Sequence, residues 1–127
     1  MAEALQTIDD TIALVYRNGD LFAIPELLRI KGEILVELHP ADLSSAEQCF
    51  ARSLELARQQ GALAWELRTA TSLSRAWLKR DRREEARDLL DSVYDRLTEG
   101  LECADARAAK DILQHLARTT SYAEKSV

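Results

Sequence analysis

Apolar residues recur along the chain in three windows that share one set of offsets. From Ala86, the residues Ala86, Leu89, Leu90, Val93, Tyr94 and Leu97 fall at 0, 3, 4, 7, 8 and 11. From Ala46, the same offsets hold Ala46, Cys49, Phe50, Ser53, Leu54 and Ala57. From Ala4 they hold Ala4, Thr7, Ile8, Thr11, Ile12 and Val15, with two threonines diluting the apolar face. Such spacing gathers side chains on one face of a helix. Each window ends at a glycine 14 or 15 residues after its alanine, at Gly19, Gly61 and Gly100. A glycine just past a helix end takes the left-handed conformation without a Cβ penalty and turns the chain.

A second helix is expected after each glycine. The first, over 24–38, carries Pro25 in its opening turn, where a missing N–H breaks no bond. The others fall over 62–79 and 102–118. Thirteen residues after the first two glycines stand the small residues Gly32 and Ser74, and three further stand Leu35 and Trp77. A small residue lets a neighbouring helix approach, and the larger one fills the space beside it. Pro40 ends the second helix. Ser44 with Glu47, and Asp81 with Glu84, have the capping-box spacing that opens the third and fifth helices. The fourth helix has no such cap.

The pattern therefore predicts an all-α fold of about six antiparallel helices, near 2–18, 24–38, 44–60, 62–80, 82–98 and 102–118. They form one domain over 1–118, followed by a frayed polar tail over 119–127. The three marker alanines are 42 and 40 residues apart. A fixed period near 40 points to three helix–turn–helix units stacked as a solenoid, because a single pair cannot bury its apolar faces alone. A closed four-helix bundle has no need of such a period.

These features resemble the tetratricopeptide repeat. Ser74, Trp77, Ala86 and Leu90 fit that family's small, aromatic, alanine and aromatic positions at its spacing. Gly32, Leu35, Ala46 and Phe50 fit them too, with two extra residues in the turn. The family's closing proline is replaced by Arg58 and Thr98, and the period exceeds the common 34. The resemblance implies a right-handed solenoid. The chain is also similar to the helical tails of bacterial adenylate or guanylate cyclase homologues and ATPase-type transcriptional regulators. The segments 31–35, 65–73, 86–90 and 93–105 carry that likeness. It implies a sensing or scaffolding region, either detached from such a regulator or free-standing, without the cyclase or ATPase domains.

Composition fits this picture. Of 127 residues, 46% are apolar and 31% charged, a globular balance, and only 4 Gly and 2 Pro interrupt it. The net charge of −5 argues against nucleic acid as a partner. Residues 1–40 carry −4, residues 41–80 carry +2, and residues 81–127 carry −3. No stretch approaches the roughly 20 apolar residues of a membrane span, and Met1 to Asp10 does not resemble a signal peptide. The expected setting is a reducing cytoplasm, with Cys49 and Cys103 as free thiols.

The motifs of chemistry are not found. There is no P-loop, dinucleotide fingerprint or metalloprotease motif, and no cofactor or metal is expected. His39 and His115 are far apart, and the cysteines lack ligand spacing. The neighbouring carboxylates Asp9–Asp10 and Glu84–Glu85 diverge by about 100° around a helix, so they form no acid–base pair. The chain reads as a non-enzyme. Trp77 is assigned to the core, and Trp65 to a junction between repeats.

The resemblance implies that the first helix of each pair lines a concave surface. On the helix near Ile24, that face holds Glu26, Arg29, Glu33, Val36 and Glu37; on the helix near Ala62, Arg68, Thr71, Arg75, Leu78 and Lys79. One stripe is acidic and the other basic. Either a protein or peptide partner lies across both, or the stripes pair with each other. Binding of chaperone tails, which the family achieves with a clamp rich in Lys and Asn, is disfavoured because the only asparagine is Asn18 in a turn. The competing expectation is a structural or oligomerisation element whose apolar first-helix face, Ile8, Ile12 and Val15, contacts a second copy as a homodimer or another domain.

Overall fold

Three helix ends are closed by the same backbone device. A computed structural model of the chain describes residues 2–96 and 104–125, with side chains described over 2–96 and 105–117. After helix α1 (Ala2–Arg17), Gly19 has φ +75°, and the Asp20 N–H donates to the Val15 carbonyl at 3.2 Å. After α3 (Ser44–Gln60), Gly61 has φ +67°, and the Ala62 N–H donates to the Ala57 carbonyl at 2.9 Å. After α4 (Leu63–Leu78), Asp81 has φ +62°, and the Arg82 N–H donates to the Trp77 carbonyl at 3.0 Å. All three are Schellman-type closures, the first two on glycine and the third on an aspartate.

The remaining helices are α2 (Ile24–Leu38), α5 (Arg83–Tyr94) and α6 (Ala104–Lys125), and a short 3-10 turn (Leu21–Ala23) leads into α2. The chain is thus all-α, with six α-helices and no strand among the described residues. The bounds of α2 and α3 coincide with those expected from the sequence. The last helix continues to Lys125 rather than giving way to a tail at 119. Leu97, Thr98, Gly100 and Cys103, to which the sequence reading gave roles, lie outside the described residues. No helix among the described residues is long and apolar enough to cross a membrane.

Both capping boxes are corrected. Ser44 is the first residue of α3, and the Asp42 carboxylate accepts its N–H at 3.0 Å. Asp42 also accepts the Ser44 hydroxyl. The Glu47 carboxylate, expected to reach back to the helix start, instead accepts the Trp77 indole N–H at 2.9 Å and pairs with Arg82. Asp81 closes α4 instead of opening α5.

Packing follows chain order. α1 lies on α2, α2 on α3, α3 on α4, α4 on α5 and α5 on α6; in addition α2 touches α4, and α4 touches α6. The small residues set the closest approaches. A Cβ on Gly32 would lie 2.5 Å from Cε1 of the Phe50 ring, so α2 and α3 meet at hard contact there. At the matching place in the next pair, the buried Ser74 hydroxyl donates to the Ala86 carbonyl at 3.3 Å. The core gathers Leu35, Phe50, Leu54, Leu67, Leu73, Leu90 and Val93, with Ala106 and Ala109 of α6. Trp77 packs against it, half-buried.

Helix α4 sits between the others and buries most of its circumference, including Glu66, Thr69, Thr71, Ser72 and Ser74. Its polar groups therefore need partners. The Ser53 hydroxyl of α3 meets the Thr69 hydroxyl at 2.8 Å and donates to the Pro25 carbonyl of α2 at 2.6 Å, tying three helices together. Glu66, 2% exposed, pairs with Arg58 of α3 at 2.8 Å and with Arg96 beyond α5.

On α1, Ile8 is buried, and Ile12 and Val15 are partly buried, as α1 packs on α2. That face is not the open contact surface expected from the sequence. Among the described residues, the exposed large apolar ones are Leu14, Tyr16, Leu21 and Phe22.

Candidate partner-binding surface

Contacts between α2 and α4 advance in the same direction along both helices, from Glu26–Arg68 to Arg29–Ser72 and Glu33–Ser72. The two helices therefore run side by side with the same polarity. In their first halves the expected acidic and basic stripes are consumed by each other. Glu26 pairs with Arg29 at 2.6 Å and with Arg68 at 3.2 Å. Arg29 also pairs with Glu33 at 2.9 Å, and the Ser72 hydroxyl donates to Glu33 at 2.8 Å. Arg68 reaches on to Asp105 of α6 at 3.0 Å. One ionic chain thus crosses α2, α4 and α6.

The electrostatics of Glu26 follow from this arrangement. Burial alone would raise its carboxyl, but the Arg29 hydrogen bond and the charges of Arg29 and Arg68 outweigh burial. Together they hold it below the usual carboxylate range. Arg29 and Arg68, bonded to carboxylates, are both raised.

The second halves of the helices differ. A cleft of about 150 Å³ lies between them, lined by Glu33, Val36, Glu37, Ser72, Arg75, Ala76 and Lys79, with the buried Phe50 beneath them. It shares Val36, Glu37, Ala76 and Lys79 with a neighbouring cleft of about 270 Å³ that reaches Pro40, Leu43 and Arg80. Glu37, Arg75 and Lys79 are exposed and make no ion pair among the described residues. The two clefts form one groove with an apolar floor and unneutralised charged rims.

Of the ten residues expected on the surface, the structure brings Glu33, Val36, Glu37, Arg75 and Lys79 to this groove and places Glu26, Arg29 and Arg68 in the ionic chain. Thr71 is a correction. It is 5% exposed, and its hydroxyl donates back to the Leu67 carbonyl at 2.9 Å, so it offers nothing to a partner. Leu78 is partly buried and lines neither cleft. The stripe of α4 that faces α2 is Arg68, Ser72, Arg75, Ala76 and Lys79, one residue round from the one expected. Ser72 and Asp105 were missed in the sequence, although Ser72 stands four residues from both Arg68 and Ala76 on that stripe.

At the opposite end of the same α4 stripe, Trp65 meets Phe22 of the 3-10 turn, with ring centroids 5.1 Å apart and planes tilted by 55°. Among the described residues, no group of three or more His, Cys, Asp and Glu is arranged to hold a metal ion. No protein-family model matches the sequence, and neither curated proteins nor solved structures provide a match.

Proposed function

We propose that the chain is a non-catalytic protein-interaction module of tetratricopeptide-like build, and that it holds a peptide or partner segment in the groove between the C-terminal halves of α2 and α4. The reading takes α2, α4 and α6 as the inner layer of a short right-handed solenoid, which their successive contacts support. The observation that carries it is the division of charge along one surface. Glu26, Arg29, Glu33 and Arg68 neutralise one another, whereas Glu37, Arg75 and Lys79 are left unpaired beside Val36, Ala76 and Phe50. Apolar floor beside unneutralised rim charge is what a docked segment uses, the floor for affinity and the rim for specificity.

The test is selection of displayed peptides on the wild-type chain, followed by fluorescence anisotropy on R75E/K79E and on V36E. Each variant is expected to weaken the selected peptides at least tenfold, about 1.4 kcal/mol, with helicity by circular dichroism unchanged. Selected peptides that bind both variants as tightly as the wild type would place the binding surface elsewhere.

A further inference from the structure

One face of α4 carries Trp65, Arg68, Ser72, Arg75 and Lys79, at steps of three and four residues. The stripe has three zones. Its middle, Arg68 and Ser72, is committed to α2 and α6. Its far end presents the unpaired cations Arg75 and Lys79. Its near end presents the Trp65–Phe22 ring pair, with Phe22 61% exposed and the adjacent Leu21 51% exposed. A contiguous exposed aromatic–aliphatic cluster of this kind marks a contact surface, unlike a single exposed Leu. Fourteen residues separate Trp65 from Lys79, so the two ends are about 21 Å apart along the helix.

We infer that the partner is an acidic segment of another protein with two anchors about 21 Å apart: a large apolar side chain against Phe22 and Trp65, and carboxylates on Arg75 and Lys79. This rests on reading the α2–α4 surface as a binding face, and it names the partner's chemistry and reach. Charge complementarity selects the carboxylates, because along the two clefts Arg75, Lys79 and Arg80 outnumber the one unpaired acid, Glu37. The Glu26–Arg29–Glu33–Arg68 chain between the anchors is internally neutralised and leaves the middle of the segment without a charge requirement. An extended segment of about six or seven residues spans the distance.

Trp65 supplies the readout, because the chain has only 2 tryptophans and W77F leaves Trp65 as the sole emitter. Three synthetic peptides are titrated into that variant. One carries Phe-Leu, a six-residue Gly-Ser spacer and three Glu; the second replaces Glu by Lys; the third replaces Phe-Leu by Gly-Gly. The first is expected to bind saturably and shift Trp65 emission to the blue, and the other two to bind at least tenfold more weakly. F22A, whose ring is exposed, is expected to keep the wild-type helicity and to weaken the first peptide about tenfold. R75E/K79E is expected to reverse the preference to the Lys peptide. Equal binding of the Glu and Lys peptides, or no binding of the first, overturns the inference. Binding of the first that is sensitive to R75E/K79E while Trp65 emission stays fixed also overturns the two-anchor inference, yet leaves the groove reading standing. A blue shift produced by raising protein concentration alone, with a dimer in light scattering, assigns the ring pair to a second copy and likewise overturns it.

Discussion

Gly32 of α2 and Phe50 of α3 are in contact so close that a methyl group on Gly32 would stand 2.5, 2.7 and 2.8 Å from three carbons of the Phe50 ring. The ring is fully buried. Elsewhere in a helix interior, exchanging glycine for alanine gains about 1 kcal/mol from reduced chain freedom. Here overpacking opposes that gain, at about 1–3 kcal/mol. Gly32→Ala is therefore expected not to stabilise the chain, and to destabilise it by up to about 2 kcal/mol in urea unfolding. The same substitution made on Phe50→Leu is expected to cost less or to stabilise. A stabilising Gly32→Ala in the wild type would mean that α2 and α3 do not approach this closely.

Glu66 gives a second expectation. Its carboxylate is almost wholly buried, between an Arg58 and an Arg96 that are each about half-exposed. Glu66→Gln keeps the shape but withdraws the charge that both guanidiniums use. The expected loss is about 1–3 kcal/mol, below the full cost of breaking a buried pair because the arginines can turn to water. Arg58→Met should cost clearly less than Glu66→Gln, since Glu66 keeps Arg96. Equal losses for the two, by urea midpoint at constant slope, would contradict a shared carboxylate.

Much of the scaffold was legible in the sequence because backbone chemistry dictates it locally. Gly19 and Gly61 take positive φ where the spacing placed them, and α2 and α3 span the expected residues. A close approach at Gly32 was expected from its small size, although the large residue named beside it was Leu35 of the same helix and not Phe50 of α3. One failure arose because a side chain found better partners far along the chain. Glu47 is three residues from Ser44, yet its carboxylate is held by Trp77 and Arg82. Thr71 and Leu78 were placed on the surface of α4 because that helix carries polar residues all round. It is buried on nearly every side, so its pattern has no contrast from which a face can be read. The charges of the candidate surface were identified, but not which of them neutralise each other. That depends on the register of α2 against α4, which a single helix does not encode.

That register also sets the response to acid. Glu26 titrates below its ordinary value of 4.5 because the Arg29 and Arg68 interactions outweigh the opposing effect of burial. A carboxyl with a depressed folded-state value stabilises the fold fully above its unfolded value, and the contribution fades as pH falls through the folded one. Stability should therefore hold from neutrality to about pH 4.5 and decline below it. Glu85, held down chiefly by its hydrogen bond from Arg82, and Asp42, held down chiefly by that from Ser44, titrate in the same direction, so the decline has several sources. Glu26→Gln isolates one of them. It should lower stability at pH 7, where the wild-type carboxylate is charged and paired, and leave a shallower decline between pH 5 and pH 3. Because Arg68 links Glu26 to Asp105 of α6, Arg68→Met should also speed amide hydrogen exchange along the described part of α6 at neutral pH. A Glu26→Gln chain that follows the wild-type melting temperature across this range would show that the α2–α4–α6 ionic chain carries no net stability. It would then serve only to fix which charges remain free at the groove.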